Sequence, residues 1–191
     1  MKRIIALLLL SLVPVLFAAK KPNIVFIMAD DLGWSELGSY GQTKIKTPNI
    51  DQLAKEGMRF TANYSGNAVC APSRCVLMTG KHSGHTSIRT NGGGTPLRAG
   101  EVTIATLLKQ AGYATGGFGK WGCGGRGSTG VPEDHGFDVF FGYYDQVHAH
   151  SYYPPYLIRN SEEVALPGNN GGRQGQTYSH YQIIEAARQF I

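Results

Sequence analysis

Residues 23–33 read NIVFIMADDLG: Asn23, a nearly continuous apolar run from Ile24 to Ala29, then Asp30-Asp31-Leu32-Gly33. A short apolar run without polar alternation is the pattern of a strand buried on both faces, as in a parallel sheet. Further along, residues 47–57 spell a helix, with Thr47 as N-cap, Pro48 at the first helical position and Gly57 as terminator. Its apolar positions Ile50, Leu53 and Ala54 share one face. Met58 to Asn63 resembles a second short strand. Residues 69–80, VCAPSRCVLMTG, read as a helix with Pro72 near its start and Gly80 at its end. A glycine-rich loop from Asn91 to Thr95 leads to a third helix around Val102 to Ala111, closed by Gly112. Tyr113 to Phe118 then reads as a strand feeding Gly119-Lys120-Trp121-Gly122. Strands alternating with helices predict an α/β fold with a largely parallel sheet. Residues 122–170 read as an aromatic, loop-rich segment without repeats. Ser179 to Ile191 reads as an amphipathic helix with Ile183, Ile184, Ala187 and Ile191 inward; it carries no terminating signal, so the chain is expected to be cut there.

The beginning of the chain carries a different message. Lys2 and Arg3, the apolar stretch from Ile4 to Phe17 and the pair Ala18-Ala19 predict a signal peptide over residues 1–19. That stretch includes Ser11 and Pro14 and falls short of the ~20 apolar residues of a spanning helix. A secreted or periplasmic protein without a stable membrane anchor is therefore expected. Residues 20–191 are enough for one domain with a real core. The net charge of +5, from 18 basic and 13 acidic residues, suits an anionic substrate. No basic run is interleaved with aromatics, so no nucleic-acid partner is expected. Three cysteines, Cys70, Cys75 and Cys123, cannot all pair, and Cys70 and Cys75 would lie about a turn apart on one helix, a poor geometry for a disulfide. A disulfide framework is not expected.

Several residues carry chemistry. Asp30 and Asp31 sit at the carboxyl end of the first expected strand, where open α/β sheets bind ligands. Adjacent carboxylates suit a hard cation; Asp-Asp-x-Gly is equally good turn chemistry. Cys70 lies beside a helix N-terminus, where an anion is stabilised, with Arg74 four residues on along the same face. The alternative for Cys70 is a small buried hydrophobe, the reading given to Cys75 and Cys123. Lys120 follows a strand among small residues and is placed to enter the same crevice, unless it is simply solvated. His148 and His150, in Gln146-Val147-His148-Ala149-His150, are acid/base groups, ligands or members of a packed aromatic loop. His82 and His85 are expected to be structural.

Cys70-Ala71-Pro72-Ser73-Arg74 followed by Leu77, Thr79 and Gly80, the upstream pair Asp30-Asp31 and the downstream Gly119-Lys120-Trp121 together resemble the type I sulfatase family, with Gly136-Phe137-Asp138 to Gly142 also family-like. The resemblance implies an alkaline-phosphatase-like α/β/α sandwich with a mostly parallel central sheet, incomplete in this chain. It implies that Cys70 is oxidised by a formylglycine-generating machinery to formylglycine, an aldehyde. The hydrated aldehyde offers one hydroxyl to attack sulfur and a second to expel sulfate afterwards. It further implies that Asp30, Asp31 and residue 70 hold a calcium or magnesium ion, that Arg74 steadies the hydrated aldehyde, and that Lys120 binds sulfate. The substrate class is then a sulfated small molecule or carbohydrate.

Two departures from the family pattern stand out. Gly122 occupies the position where the family often has histidine, so His150, or else His148, is expected to take over proton handling and substrate contact. The family's remaining metal ligands and second sulfate-binding lysine come later than residue 191, so residues 20–191 are expected to be the N-terminal part of a sulfatase catalytic domain, inactive alone. The alternatives are a phosphoester hydrolase of the same superfamily, which would carry serine or threonine at position 70, and an inactive sulfatase-like binder of anionic glycans.

Overall fold

The computed structural model describes residues 21–92 and 94–191, so the expected signal peptide lies outside the described residues. The chain divides into two compact units, Met1–Glu56 and Gly57–Ile191.

In the first unit, residues 21–29 form no hydrogen-bonded secondary structure, and Ile24, Val25, Phe26 and Ile27 are each more than half exposed. The doubly buried strand expected there is not formed. A strand needs a ladder partner, and this unit has no other strand among its described residues. Two 3-10 turns, Trp34–Glu36 and Gly38–Tyr40, precede helix α1 (Pro48–Glu56), whose limits match the Thr47, Pro48 and Gly57 signals. Asp51 in its first turn accepts from Ser39 N–H at 2.6 Å and from the Thr47 hydroxyl at 3.0 Å, while Thr47 Oγ1 accepts from Gly38 N–H at 2.9 Å. Polar bonds therefore anchor this helix. Its apolar face is uncovered, with Leu53 66% exposed.

The second unit is built on a four-stranded sheet of β1 (Gly116–Lys120), β2 (Val139–Tyr143), β3 (Tyr156–Arg159) and β4 (Glu162–Ala165), in that spatial order. β1 and β2 are parallel, and the other two pairings are antiparallel. Of this parallel pair the sequence marks only β1, which forms two to three residues later than expected, while β2 falls in the stretch 122–170 read as loop. Met58 to Asn63 forms no strand. The β3–β4 hairpin falls in the stretch read as loop. Its signal is Asn160-Ser161, a two-residue turn with φ of 45° and 68° that leaves Arg159 opposite Glu162; asparagine tolerates this left-handed region.

Alternation along β2 sorts two cores. Phe140 and Tyr144 join Ala71, Cys75, Trp121 and Cys123 on one face, and Phe141 and Tyr143 join Leu157, Ile183 and Ala186 on the other. Helix α2 (Cys70–Thr79) thereby covers one face and α4 (Ser179–Phe190) the other, a helix–sheet–helix layering. Helix α3 (Ile104–Gln110) begins after Thr103, whose hydroxyl accepts from Thr106 N–H at 3.2 Å. The buried stripe of α4 is Ile183 and Ala186, with Ile184 and Ile191 exposed, a rotation of about one position from the expected face. Gly142 is required by the close approach of the first two strands, because a Cβ there would run into the Gly119 carbonyl.

A polar clamp sets the start of the parallel pair. Asp138 Oδ2 accepts from Thr115 N–H at 2.9 Å and from its hydroxyl at 3.0 Å, and the same hydroxyl reaches Gly136 O at 2.6 Å. The ion pair with Lys109 at 2.7 Å, then the Thr115 hydrogen bonds, hold the Asp138 carboxyl down to about 2. A depressed carboxylate stabilises the fold above its unfolded value, and that contribution is lost as pH falls from about 4 through about 2. Thr115 is buried, so Thr115→Val should lower stability by about 1–2 kcal/mol, seen as a lower urea midpoint with unchanged slope. Asp138→Asn should abolish most of the acid-side loss in that window.

Candidate active site

Helix α2 starts on Cys70, with Val69 as its N-cap in extended conformation. Valine has no side-chain acceptor, so the cap is supplied from elsewhere: Asn91 Oδ1 accepts from Ala71 N–H at 3.0 Å. Pro72 has no N–H to satisfy, and Ser73 N–H returns to Val69 O at 3.0 Å. Gly80 ends the helix in the left-handed region, with its N–H on Val76 O. Cys70 is half-buried at this N-terminus, where the helix dipole favours an anion. Cys75 and Cys123 are fully buried, as the sequence suggests, and all three cysteines are free. Burial pushes the Cys123 thiol far above the usual range, so it stays a thiol.

Arg74, one turn after Cys70, is buried, and its guanidinium donates to the backbone carbonyl of Lys120. That contact joins α2 to the carboxyl end of β1. The ladder continues past the strand, with Trp121 N–H on Tyr143 O at 2.8 Å and Gly122 N–H on Tyr144 O at 3.0 Å. The segments 120–122 and 144–146 therefore leave the same end of the sheet side by side. Lys120 is partly exposed there. Cys70, Arg74 and Lys120, singled out by their sequence context, are thus built into one corner of the second unit.

Gln146 was not singled out by the sequence. Its side chain is buried and donates from Nε2 to Asn91 Oδ1 at 3.3 Å. A cavity of about 100 Å³ opens beside it, lined by Ala71, Thr90, Gly122, Ser128, Asp145 and Gln146 among others. A polar side chain three residues beyond a strand paired with the lysine-bearing strand was the available signal.

The two histidines differ. His148 has its ring between Tyr143 and Tyr156, with centroids at 5.1 and 4.7 Å, and its Nε2 lies 3.0 Å from Tyr156 O. Burial lowers its pKa below the ordinary imidazole value, so it is neutral at pH 7. His150 closes a 3-10 turn and is exposed. His82 caps a 3-10 turn, its Nδ1 accepting from Gly84 N–H at 3.1 Å, a structural role as expected.

Asp30 and Asp31 belong to the first unit. Both are exposed, and Asp31 adopts the left-handed conformation at φ 54°, which aspartate tolerates better than most residues. The turn that follows is closed by Glu36, whose carboxylate accepts from Gly33 N–H at 2.6 Å. The chain bends at Asp30-Asp31, which leaves two adjacent oxygen-donor groups at the surface, the donor type of a hard divalent ion.

Residues 22–191 match the sulfatase family. The chain is 44% identical to human (Homo sapiens) arylsulfatase D over 152 residues, covering 72% of this chain and 26% of that protein. It is 45% identical to arylsulfatase A of Bos taurus over 143 residues, covering 71% and 28%. The chain thus spans about a quarter of the length of these relatives. Among solved structures, it is similar to a protein in complex with its substrate D-glucosamine-2-N,6-O-disulfate, with a TM-score of 0.72 and 32% identity over 90% of this chain and 31% of that one. Ps i-CgsB in complex with k-i-k-neocarrahexaose gives a TM-score of 0.73 and 29% identity, covering 90% and 41%. With the cysteine, arginine and lysine motifs in one α/β unit and these similarities in sequence and structure, the chain belongs to the sulfatase family.

Proposed function

We propose that this chain is the nucleophile-bearing part of an exported hydrolase that cleaves sulfate monoesters, with Cys70 converted to formylglycine by a formylglycine-generating machinery. The observation that carries the reading is the joining of the Cys70 helix to the Lys120 strand through Arg74, within a chain of this family. The aldehyde, when hydrated, would supply the attacking hydroxyl and a second hydroxyl for sulfate release. Asp30 and Asp31, with residue 70, would hold a calcium or magnesium ion, which supplies positive charge to the sulfate oxygens.

The chain's own residues then divide the work. Helix α2 presents residue 70 at its positive end, which favours anionic sulfate and an ionised nucleophile. Arg74, buried and bonded to the Lys120 carbonyl, adds a fixed cation beside residue 70 and ties the two segments together. The Lys120 ammonium offsets charge on the sulfate oxygens as the ester bond breaks. Exposed His150 is assigned proton transfer at the nucleophile in place of a side chain at Gly122, and His148, fixed on Tyr156 O, contacts substrate and holds that loop. Of the substrate classes, a sulfated carbohydrate is favoured, because a similar structure was solved with a disulfated glucosamine. A phosphoester hydrolase is disfavoured by cysteine at position 70, and an inactive glycan binder by the retention of Asp30, Asp31, Arg74 and Lys120 together.

The complete enzyme from its native host should hydrolyse an aryl sulfate with kcat/KM at least about 100-fold above that on the matching aryl phosphate; the reverse order would replace the reading with phosphoester hydrolysis. Lys120→Ala should lower kcat about 100- to 1000-fold, the cost of removing one transition-state charge partner. Chelator treatment should abolish turnover, with recovery on adding calcium or magnesium, and Asp31→Ala should raise the ion concentration needed for half-recovery. Unchanged turnover in Asp31→Ala at limiting ion would remove Asp31 from the metal site.

A further inference from the structure

The helix that begins on Cys70 depends on a side chain far along the chain for its cap. Ala71 N–H has no acceptor within α2, and Asn91 Oδ1 provides one at 3.0 Å. That bond fixes which way round the Asn91 amide sits, because only its oxygen can accept. Gln146 meets the same oxygen at 3.3 Å and must present its NH2. Its own oxygen therefore points away; this buried Oε1 has no hydrogen-bond partner among the described residues. Gln146 in turn is placed by the sheet, two residues beyond the Gly122 N–H to Tyr144 O bond.

Gly122 explains why a carboxamide fits there. Its φ is +74°, and a Cβ on it would stand 2.9 Å from Gln146 Nε2 and 3.1 Å from Arg74 Cδ. The Gln146 amide thus fills the space that a side chain at position 122 would need. Ala71, Gly122 and Gln146 all line the same small cavity.

We propose that Gln146 is a positioning residue: from the space left by Gly122 it holds Asn91, and through Asn91 it fixes the first turn of α2, and so residue 70, against the Lys120 end of β1. The inference rests on the sulfatase reading for the reaction at residue 70. A carboxamide does not titrate, so this link is indifferent to pH. A glutamate at the same place would not be. Ionised, it can only accept and would face the Asn91 oxygen, which cannot turn away without abandoning Ala71 N–H. Protonated, its O–H can donate and restore the link.

The test compares the complete wild-type enzyme with Gln146→Glu and Gln146→Met on an aryl sulfate, across pH, with aldehyde occupancy at residue 70 and thermal midpoint measured on the same samples. Gln146→Glu should lower kcat about 10- to 100-fold at pH 8, the scale of a displaced reacting group, with KM changed less than about threefold. The ratio of its kcat to wild type should climb as pH falls through the ordinary carboxylate range. Gln146→Met, which keeps length but cannot donate, should show a similar loss at every pH; if Gln146→Glu fails to fold, this variant alone decides. Full aldehyde occupancy with wild-type kcat in Gln146→Met, or a Gln146→Glu ratio flat with pH, would overturn the positioning role and leave the sulfatase reading standing. Wild-type enzyme with an unmodified Cys70 would instead overturn that reading, and this inference with it.

Discussion

The parallel pairing of β1 with β2 is the constraint on which the rest of the second unit depends. Because the two strands run the same way, their carboxyl ends deliver residues 120–122 and 144–146 to one end of the sheet. Because side chains alternate along β2, one face receives α2 and the other α4. The pairing is held at its start by the Thr115–Asp138 clamp and in its middle by a glycine that permits backbone contact. At its end, the Arg74 guanidinium is seated on the Lys120 carbonyl. A buried arginine used this way is costly to desolvate, and it gives α2 one position relative to the strand.

Much of this could be read from residue types alone, for identifiable reasons. The limits of α1 and α2 follow from Thr47, Pro48, Gly57 and Gly80, whose effects are local and strong. The pairing of Cys70 with Arg74 followed from helix periodicity and the place of Lys120 from a strand leading into Gly119-Lys120; their grouping followed from the resemblance to the sulfatase family. What escaped was set by partners distant in sequence. The run from Ile24 to Ala29 has strand composition, but composition supplies no ladder, and the segment forms no strand and stays exposed. The β3–β4 hairpin hides in aromatic sequence, because its turn uses Asn160-Ser161 in place of a glycine. Asn91 and Gln146 carry no motif, and their roles appear only when a loop and a strand end reach the N-terminus of α2.

The candidate site combines two kinds of group. Fixed elements come from the fold: the positive end of α2, the buried Arg74 and the backbone frame around Lys120. A solvated element comes from the surface of the same unit: His150. His148, the alternative to His150 for proton handling, is held neutral by burial against the rings of Tyr143 and Tyr156, which suits a group that shapes a loop better than one that cycles protons. The burial of Cys75 and Cys123 leaves Cys70 as the one partly accessible cysteine of the three.

The claim most exposed to test is that Cys70 does not function as a thiol. The direct measurement is the mass of the tryptic peptide from Phe60 to Arg74, taken from protein exported by its native host. The account predicts a peptide in which the thiol has been replaced by an aldehyde or its hydrate. An intact thiol at Cys70, in a host shown to convert another sulfatase, would contradict it.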